Sequence, residues 1–269
     1  MENSNFILAL TLTIIAGLST GLGGAIIIFT KKLSNRFLAA SLGFSAGVMI
    51  FISLVEIFSE AQGSMVALYG EKMGNLYTLL AFFGGMGVIA LIDNLVPSGE
   101  NPHEMNTISL ESAGNKNLMR LGVFSAIAIA IHNFPEGMAT FVSTMENPQA
   151  GISIAIAVAI HNIPEGIAVA IPIYYATKSK GKALLYATLS GLSEPIGALL
   201  CWGIAAIFGV ELTGGGPAFP LVLAAVAGIM IYISLDELLP TAEKYGKHHI
   251  AIAGVIGGMA IMGASLLIM

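Results

Sequence analysis

Charge is scarce in this sequence. Of 269 residues only 10% are Asp, Glu, Lys or Arg, against about 25% in a soluble globular domain, while 56% are hydrophobic and the mean hydropathy is +0.86. That balance excludes an ordinary soluble fold. Cysteine is scarcer still: the single Cys201 rules out an internal disulfide framework and a thiolate metal cluster. The GxxxxGK[ST] phosphate loop is missing, so no ATP motor of that kind is built in, and HExxH, the usual signature of a zinc hydrolase, is missing too.

What the chain has in abundance is long apolar runs, at about 5–29, 37–60, 76–96, 119–144, 150–174, 183–209, 218–240 and 247–268. Each is long enough for the ~20 residues with which a helix crosses ~30 Å of hydrocarbon. They lack the alternation of barrel strands, and a lipid-exposed backbone must satisfy its own hydrogen bonds. The expectation is an all-α, polytopic membrane protein of eight transmembrane helices forming one domain over 1–269 in the lipid bilayer. The first run lacks a basic leader and is read as a span, not a signal peptide.

Basic residues are rare but unevenly placed. The connections after the first, third, fifth and seventh runs hold Lys31, Lys32, Arg36, Lys116, Arg120, Lys178, Lys180, Lys182, Lys244 and Lys247, and the others hold only Lys72. Positive charge marks the cytoplasmic side, so both termini are expected outside the cytoplasm. The polar stretch 97–118 reads as a cytoplasmic loop in which His103 and Glu104 are solvated. Glycines spaced by four, at Gly17/Gly21, Gly43/Gly47 and Gly254/Gly258, read as close helix contacts.

Against this apolar background one pattern occurs twice: "IHNFPEG" at 131–137 and "IHNIPEG" at 160–166. His132, Asn133 and Glu136 lie deep in the fourth run, His161, Asn162 and Glu165 deep in the fifth, and Glu194 in the sixth. A charged side chain at the bilayer centre costs ~2.5–3.5 kcal/mol on insertion scales. Three glutamates and two imidazoles at that depth need one another or a shared cation. His and Glu at i, i+4 share one helix face, and two spans joined by a short connection are antiparallel neighbours, so the copies can face each other. Pro135 and Pro164 are expected to kink both helices and free carbonyls beside the histidines.

Imidazole nitrogen and carboxylate oxygen without thiolate suit Zn²⁺, Fe²⁺, Mn²⁺, Co²⁺ or Cd²⁺. Three carboxylates offset most of the charge of two divalent ions, so a binuclear site is reasonable. Ser53, Glu56 and Glu60 fall toward the external side, and Asp93, Asp236 and Glu237 toward the cytoplasmic mouth, which sketches a cation path. The competing readings are an intramembrane metal-dependent hydrolase, for which no general base stands out, and a non-transporting metal sensor.

The segments "HNFPEGMATFVS" (132–143), "HNIPEGIAVAIPIYYATKSK" (161–180), "GLSEPIGA" (191–198) and "AAVAGIMIYISLDELLP" (224–240) resemble the bacterial branch of the ZIP family of divalent-metal transporters. The resemblance implies uptake of metal across the inner membrane into the cytosol by alternating access. It further implies a three-plus-two-plus-three helix arrangement and ligands at His132, Asn133, Glu136, His161, Asn162, Glu165 and Glu194. The histidine-rich tract common after the third span in other ZIP branches is absent here. No enzyme activity, catalytic cofactor or nucleic-acid partner is expected; the partners are the metal and lipid, with a homodimer as the candidate assembly.

Overall fold

The computed structural model describes residues 2–29, 34–95, 115–213, 215–246 and 248–268. Lys31, Lys32, Lys247 and the expected loop as far as residue 114, with His103 and Glu104, lie outside them. Among the described residues every regular element is helical: α1 (Glu2–Phe29), α2 (Asn35–Ile52), α3 (Phe58–Leu95), α4 (Asn115–Glu146), α5 (Pro148–Thr177), α6 (Lys180–Gly191), α7 (Ser193–Phe208), α8 (Ala218–Ile233), α9 (Leu239–Tyr245) and α10 (His248–Ile268). Two five-residue π-helical turns, Ser53–Ile57 and Ser234–Leu238, join α2 to α3 and α8 to α9.

Seven described stretches are long and apolar enough to cross a membrane, as a polytopic membrane protein requires. One of them, Asn35–Asn94, has 60 residues, far more than one crossing needs. It does not run straight. Gly70 has φ 74°, a left-handed value that glycine tolerates without a Cβ clash. Beyond it the chain turns back: Gln62 Nε2 donates to Asn75 Oδ1 at 3.0 Å, and the rings of Tyr69 and Tyr77 meet at 5.2 Å. In a straight helix at ~1.5 Å rise per residue, side chains so far apart in sequence could not touch.

The expected run 183–209 is interrupted rather than continuous. Pro195 has no N–H and its ring crowds the carbonyl of Gly191, so α6 ends there and α7 restarts at Ser193 after Leu192. Glu194 stands in the first turn of α7, one residue before Pro195. Pro135 and Pro164, by contrast, sit inside helices that continue through them. Irregular backbone is thus found beside the repeated motif, at Leu192 and the two π-helical turns, more than within it.

Helix α5 is the hub, packed against α1, α2, α4 and α6. Around it, α2 pairs with α10 and α3 with α8. The first of these pairs explains two of the glycine spacings. A Cβ at Gly43 or Gly47 would meet the backbone of Ala251 or Val255, and one at Gly254 or Gly258 the backbone of Ala40 or Phe44. Small residues from both helices therefore set a close approach.

An internal repeat also emerges. Residues 49–57, "MIFISLVEI", and 230–238, "MIYISLDEL", nearly coincide, and each ends in one of the π-helical turns. Gly47 and Gly228 occupy equivalent places before these segments. The first abuts α10, and the second abuts the carbonyl of Phe82 on α3.

Candidate metal centre

Helices α4 and α5 bring the two motif copies together in a dry interior. His132 is 3% exposed, and Asn133, Glu136, His161, Asn162, Glu165 and Glu194 are 0% exposed. Glu136, His161 and Glu165 form the compact part: each offers a ligand atom, and these atoms lie within 4.8 Å of one another.

The ring of His161 has a defined role for each nitrogen. Nδ1 lies 3.0 Å from the carbonyl oxygen of Ala157, one turn back on α5, which makes Nδ1 the protonated nitrogen. Nε2 is then the nitrogen that faces the interface, 3.1 Å from Glu136 Oε1. The pair is close, but neither atom meets hydrogen-bond geometry, and neither Glu136 oxygen has a hydrogen-bond partner among the described residues. Buried polar atoms are nearly always satisfied. An imidazole nitrogen and carboxylate oxygens that converge in a buried site are a candidate donor set for a cation.

Glu165 is held from the other side. Ser45 Oγ on α2 lies 3.0 Å from Glu165 Oε1 and 3.3 Å from the His161 carbonyl oxygen, so its hydroxyl hydrogen can serve the carboxylate. The Asn133 amide is best satisfied with its NH₂ donating to Ile129 O at 3.1 Å and Glu165 Oε2 at 3.3 Å. Next to this group, Asn162 Nδ2 donates to Ala16 O on α1 at 3.0 Å and to the Glu194 carboxylate. That leaves Asn162 Oδ1 and Glu194 Oε2 as further unpartnered oxygens. Gly137 permits this arrangement, because a Cβ there would meet the backbone of Glu194.

His132 stands apart from the compact group. Its Nε2 forms an ion pair with Glu237, in the second π-helical turn, while Nδ1 has no partner among the described residues. Glu237 therefore reaches the centre instead of simply lining a mouth. Of the other expected path residues, Ser53 is fully buried, Glu56 is half-buried in the first π-helical turn, and Glu60 lies one turn further on, in the first turn of α3. Asp93 is half-buried and Asp236 exposed, and both act electrostatically on Tyr232 of α8.

Two contributors escape a reading of the motif alone. Ser45 lies in the unremarkable stretch "GFSAG" and reaches the candidate centre only because α2 crosses α5 at Glu165. Glu237 is expected from the sequence only toward the cytoplasmic mouth; the repeated "ISLxE", which makes Glu56 and Glu237 equivalent acids, is the signal that sets it apart.

Comparison with known proteins places these residues in context. The sequence model described as ZIP Zinc transporter matches residues 96–266. The zinc transporter ZupT of Chlorobaculum parvum is 55% identical over 270 residues, covering 99% of each chain. The protein of the same name from Streptococcus mutans is 55% identical over 260 residues, 97% of each. That of Clostridium perfringens is 51% identical over 283 residues, covering 98% of this chain and 97% of its own. The resemblance seen in the HN-x-PEG motifs is borne out over nearly the whole chain: it belongs to the ZIP zinc transporter family, whose members are transporters and not enzymes.

Proposed function

We propose that this protein carries Zn²⁺, and with less discrimination Fe²⁺, Mn²⁺, Co²⁺ and Cd²⁺, across the bacterial inner membrane into the cytosol. The observation that supports this reading best is the buried group Glu136, His161 and Glu165, whose donor atoms converge without hydrogen-bonding one another. Nitrogen plus carboxylate oxygen, with no thiolate, is the chemistry of a borderline divalent ion. Asn162 Oδ1 and Glu194 Oε2, beside the same glutamates, offer oxygens for a second ion, and His132 and Asn133 complete the set. The names borne by the relatives point to zinc as the principal cargo.

In this reading the hairpin at Gly70 makes two crossings of Asn35–Asn94, giving eight spans arranged three plus two plus three. The lysines and arginines then put both termini outside the cytoplasm. The membrane potential favours entry by ~2.3 kcal/mol per charge per 100 mV, hence roughly 4.6 for a divalent ion, so no other energy source is needed. Transport proceeds by alternating exposure of the site, a cycle suited to a centre whose ligands are all closed to solvent.

Purified protein in liposomes tests the reading. Zn²⁺ uptake under an inside-negative potential is expected, competed by Cd²⁺ and the other divalent ions, and lost in the double variant His132→Ala, Glu136→Ala. Undiminished flux in that variant would remove the site assignment.

A further inference from the structure

Buried hydroxyls in these helices follow a rule. Thr13, Ser19, Thr78, Thr144, Ser190 and Ser234 each donate to a carbonyl one turn back, at 2.5 to 2.9 Å. This is the ordinary way for a helix to satisfy an intramembrane Ser or Thr. Ser53, Thr140 and Ser143 depart from it: all three are 0% exposed, and their Oγ atoms have no partner among the described residues.

Their positions are not scattered. Glu136, Thr140 and Ser143 stand at i, i+4 and i+7 of α4, on one face, so the two hydroxyls continue the line begun by the metal-site glutamate. On α2, which packs against α5, Ser45 contacts Glu165 at the centre, and Ser53 lies two turns further along the chain. Past Ser53 the chain reaches Glu56 in the first π-helical turn and Glu60 at the start of α3, and Glu60 is under the electrostatic influence of Glu56 and of Glu146, the last residue of α4.

We infer that Thr140 and Ser143 of α4, together with Ser53, line the metal's approach from the external acids Glu56, Glu60 and Glu146 to the buried centre. A divalent ion moving along this line must shed part of its water. Hydroxyl oxygens are neutral ligands that replace that water without holding the ion as a carboxylate does, so they pass it inward toward Glu136. Such groups are left free of helix carbonyls because their partner is intermittent. The assignment rests on the transport reading above and adds to it the route by which the ion arrives.

The test uses full-length protein in liposomes, with Zn²⁺ and Cd²⁺ as probes. Thr140→Val and Ser143→Ala remove each hydroxyl at nearly constant shape. Each is expected to cut the uptake rate about tenfold, and Thr140→Ser to restore it, while Zn²⁺ affinity measured at equilibrium in detergent stays at the unaltered protein's value. Melting temperature is expected not to fall, because no partner is lost on folding. In a Cys201→Ala background, Ser143→Cys should react with a membrane-impermeant thiol reagent from the N-terminal side, more slowly with Zn²⁺ present. Retained flux in Thr140→Val and Ser143→Ala, while His161→Ala abolishes it, overturns the route and leaves the metal site standing. Flux retained in His161→Ala as well overturns both. A parallel loss of equilibrium affinity would make the hydroxyls part of the centre, and a fall in melting temperature would make them structural; either overturns the route.

Discussion

His161 Nε2 and Glu136 Oε1 lie 3.1 Å apart across the α4–α5 interface, each fully buried and neither hydrogen-bonded to the other. The Ala157 carbonyl fixes the ring by accepting a hydrogen bond from Nδ1, so Nε2 is the nitrogen that faces Glu136. The pair is stable with a positive charge shared between the two atoms, a proton or a metal ion. The relationship ties the function to one interface and makes the consequences of disturbing it specific.

Replacing His161 by Ala removes the proposed nitrogen ligand and leaves Glu136 and Glu165 facing each other at close range. Uptake of Zn²⁺ is expected to fall at least a hundredfold, roughly the ~2.7 kcal/mol equivalent of two decades. Equilibrium dialysis of the detergent-solubilised variant should show the matching loss of affinity. Binding indistinguishable from the unaltered protein would mean that the ring is a packing residue.

Ser45→Ala tests the support behind the ligands. The hydroxyl orients the Glu165 carboxylate at 3.0 Å, and partners of this kind are worth roughly 10–100-fold in metal affinity. The expected result is a loss within that range, measured by the same dialysis, with helix content unchanged by circular dichroism. A full-strength site in Ser45→Ala would show that Glu165 is held by Asn133 alone.

Much of this was legible in the sequence, and the exceptions have physical reasons. The spans follow from hydropathy because the bilayer imposes one length on every crossing. The pairing of His161 with Glu165 and of His132 with Glu136 follows from helical periodicity. Periodicity cannot say that His161 meets Glu136 while His132 turns to Glu237, since that depends on how α4 and α8 are rotated against their neighbours. Ser45 was invisible for the same reason: it is one serine among many until α2 is laid across α5. The prolines of the motif lie inside helices that continue through them, and the turn at Leu192 falls three residues before Pro195, in the segment that carries Glu194.

Gly137→Ala tests the packing that delivers Glu194. A Cβ at 137 meets backbone atoms of Glu194, which cannot rotate away as a side-chain end would, so α4 and α7 must separate. Overpacking of this kind costs about 1–3 kcal/mol. A lower melting temperature in detergent is expected, together with weaker Zn²⁺ binding as the Asn162–Glu194 hydrogen bond is pulled out of register. The variant Gly203→Ala is the control, because a Cβ there meets nothing within 4 Å. Equal stability of the two variants would refute the argument.

Glu237 offers the sharpest separation between holding a metal and moving it. In this structure the carboxylate pairs with His132 Nε2, so His132 cannot give that nitrogen to an ion at the Glu136–His161–Glu165 group without leaving Glu237. The two partners compete for one imidazole. Glu237→Gln keeps the shape and removes the charge, which should free His132 for the metal. Zn²⁺ affinity is expected to hold or rise, while turnover drops about tenfold, a barrier increase of about 1.4 kcal/mol, because the ion is no longer exchanged for the carboxylate. Parallel measurement of binding in detergent and flux in liposomes reads the two quantities separately. If affinity falls together with flux, as expected for His161→Ala, then Glu237 is a ligand and the competition does not exist.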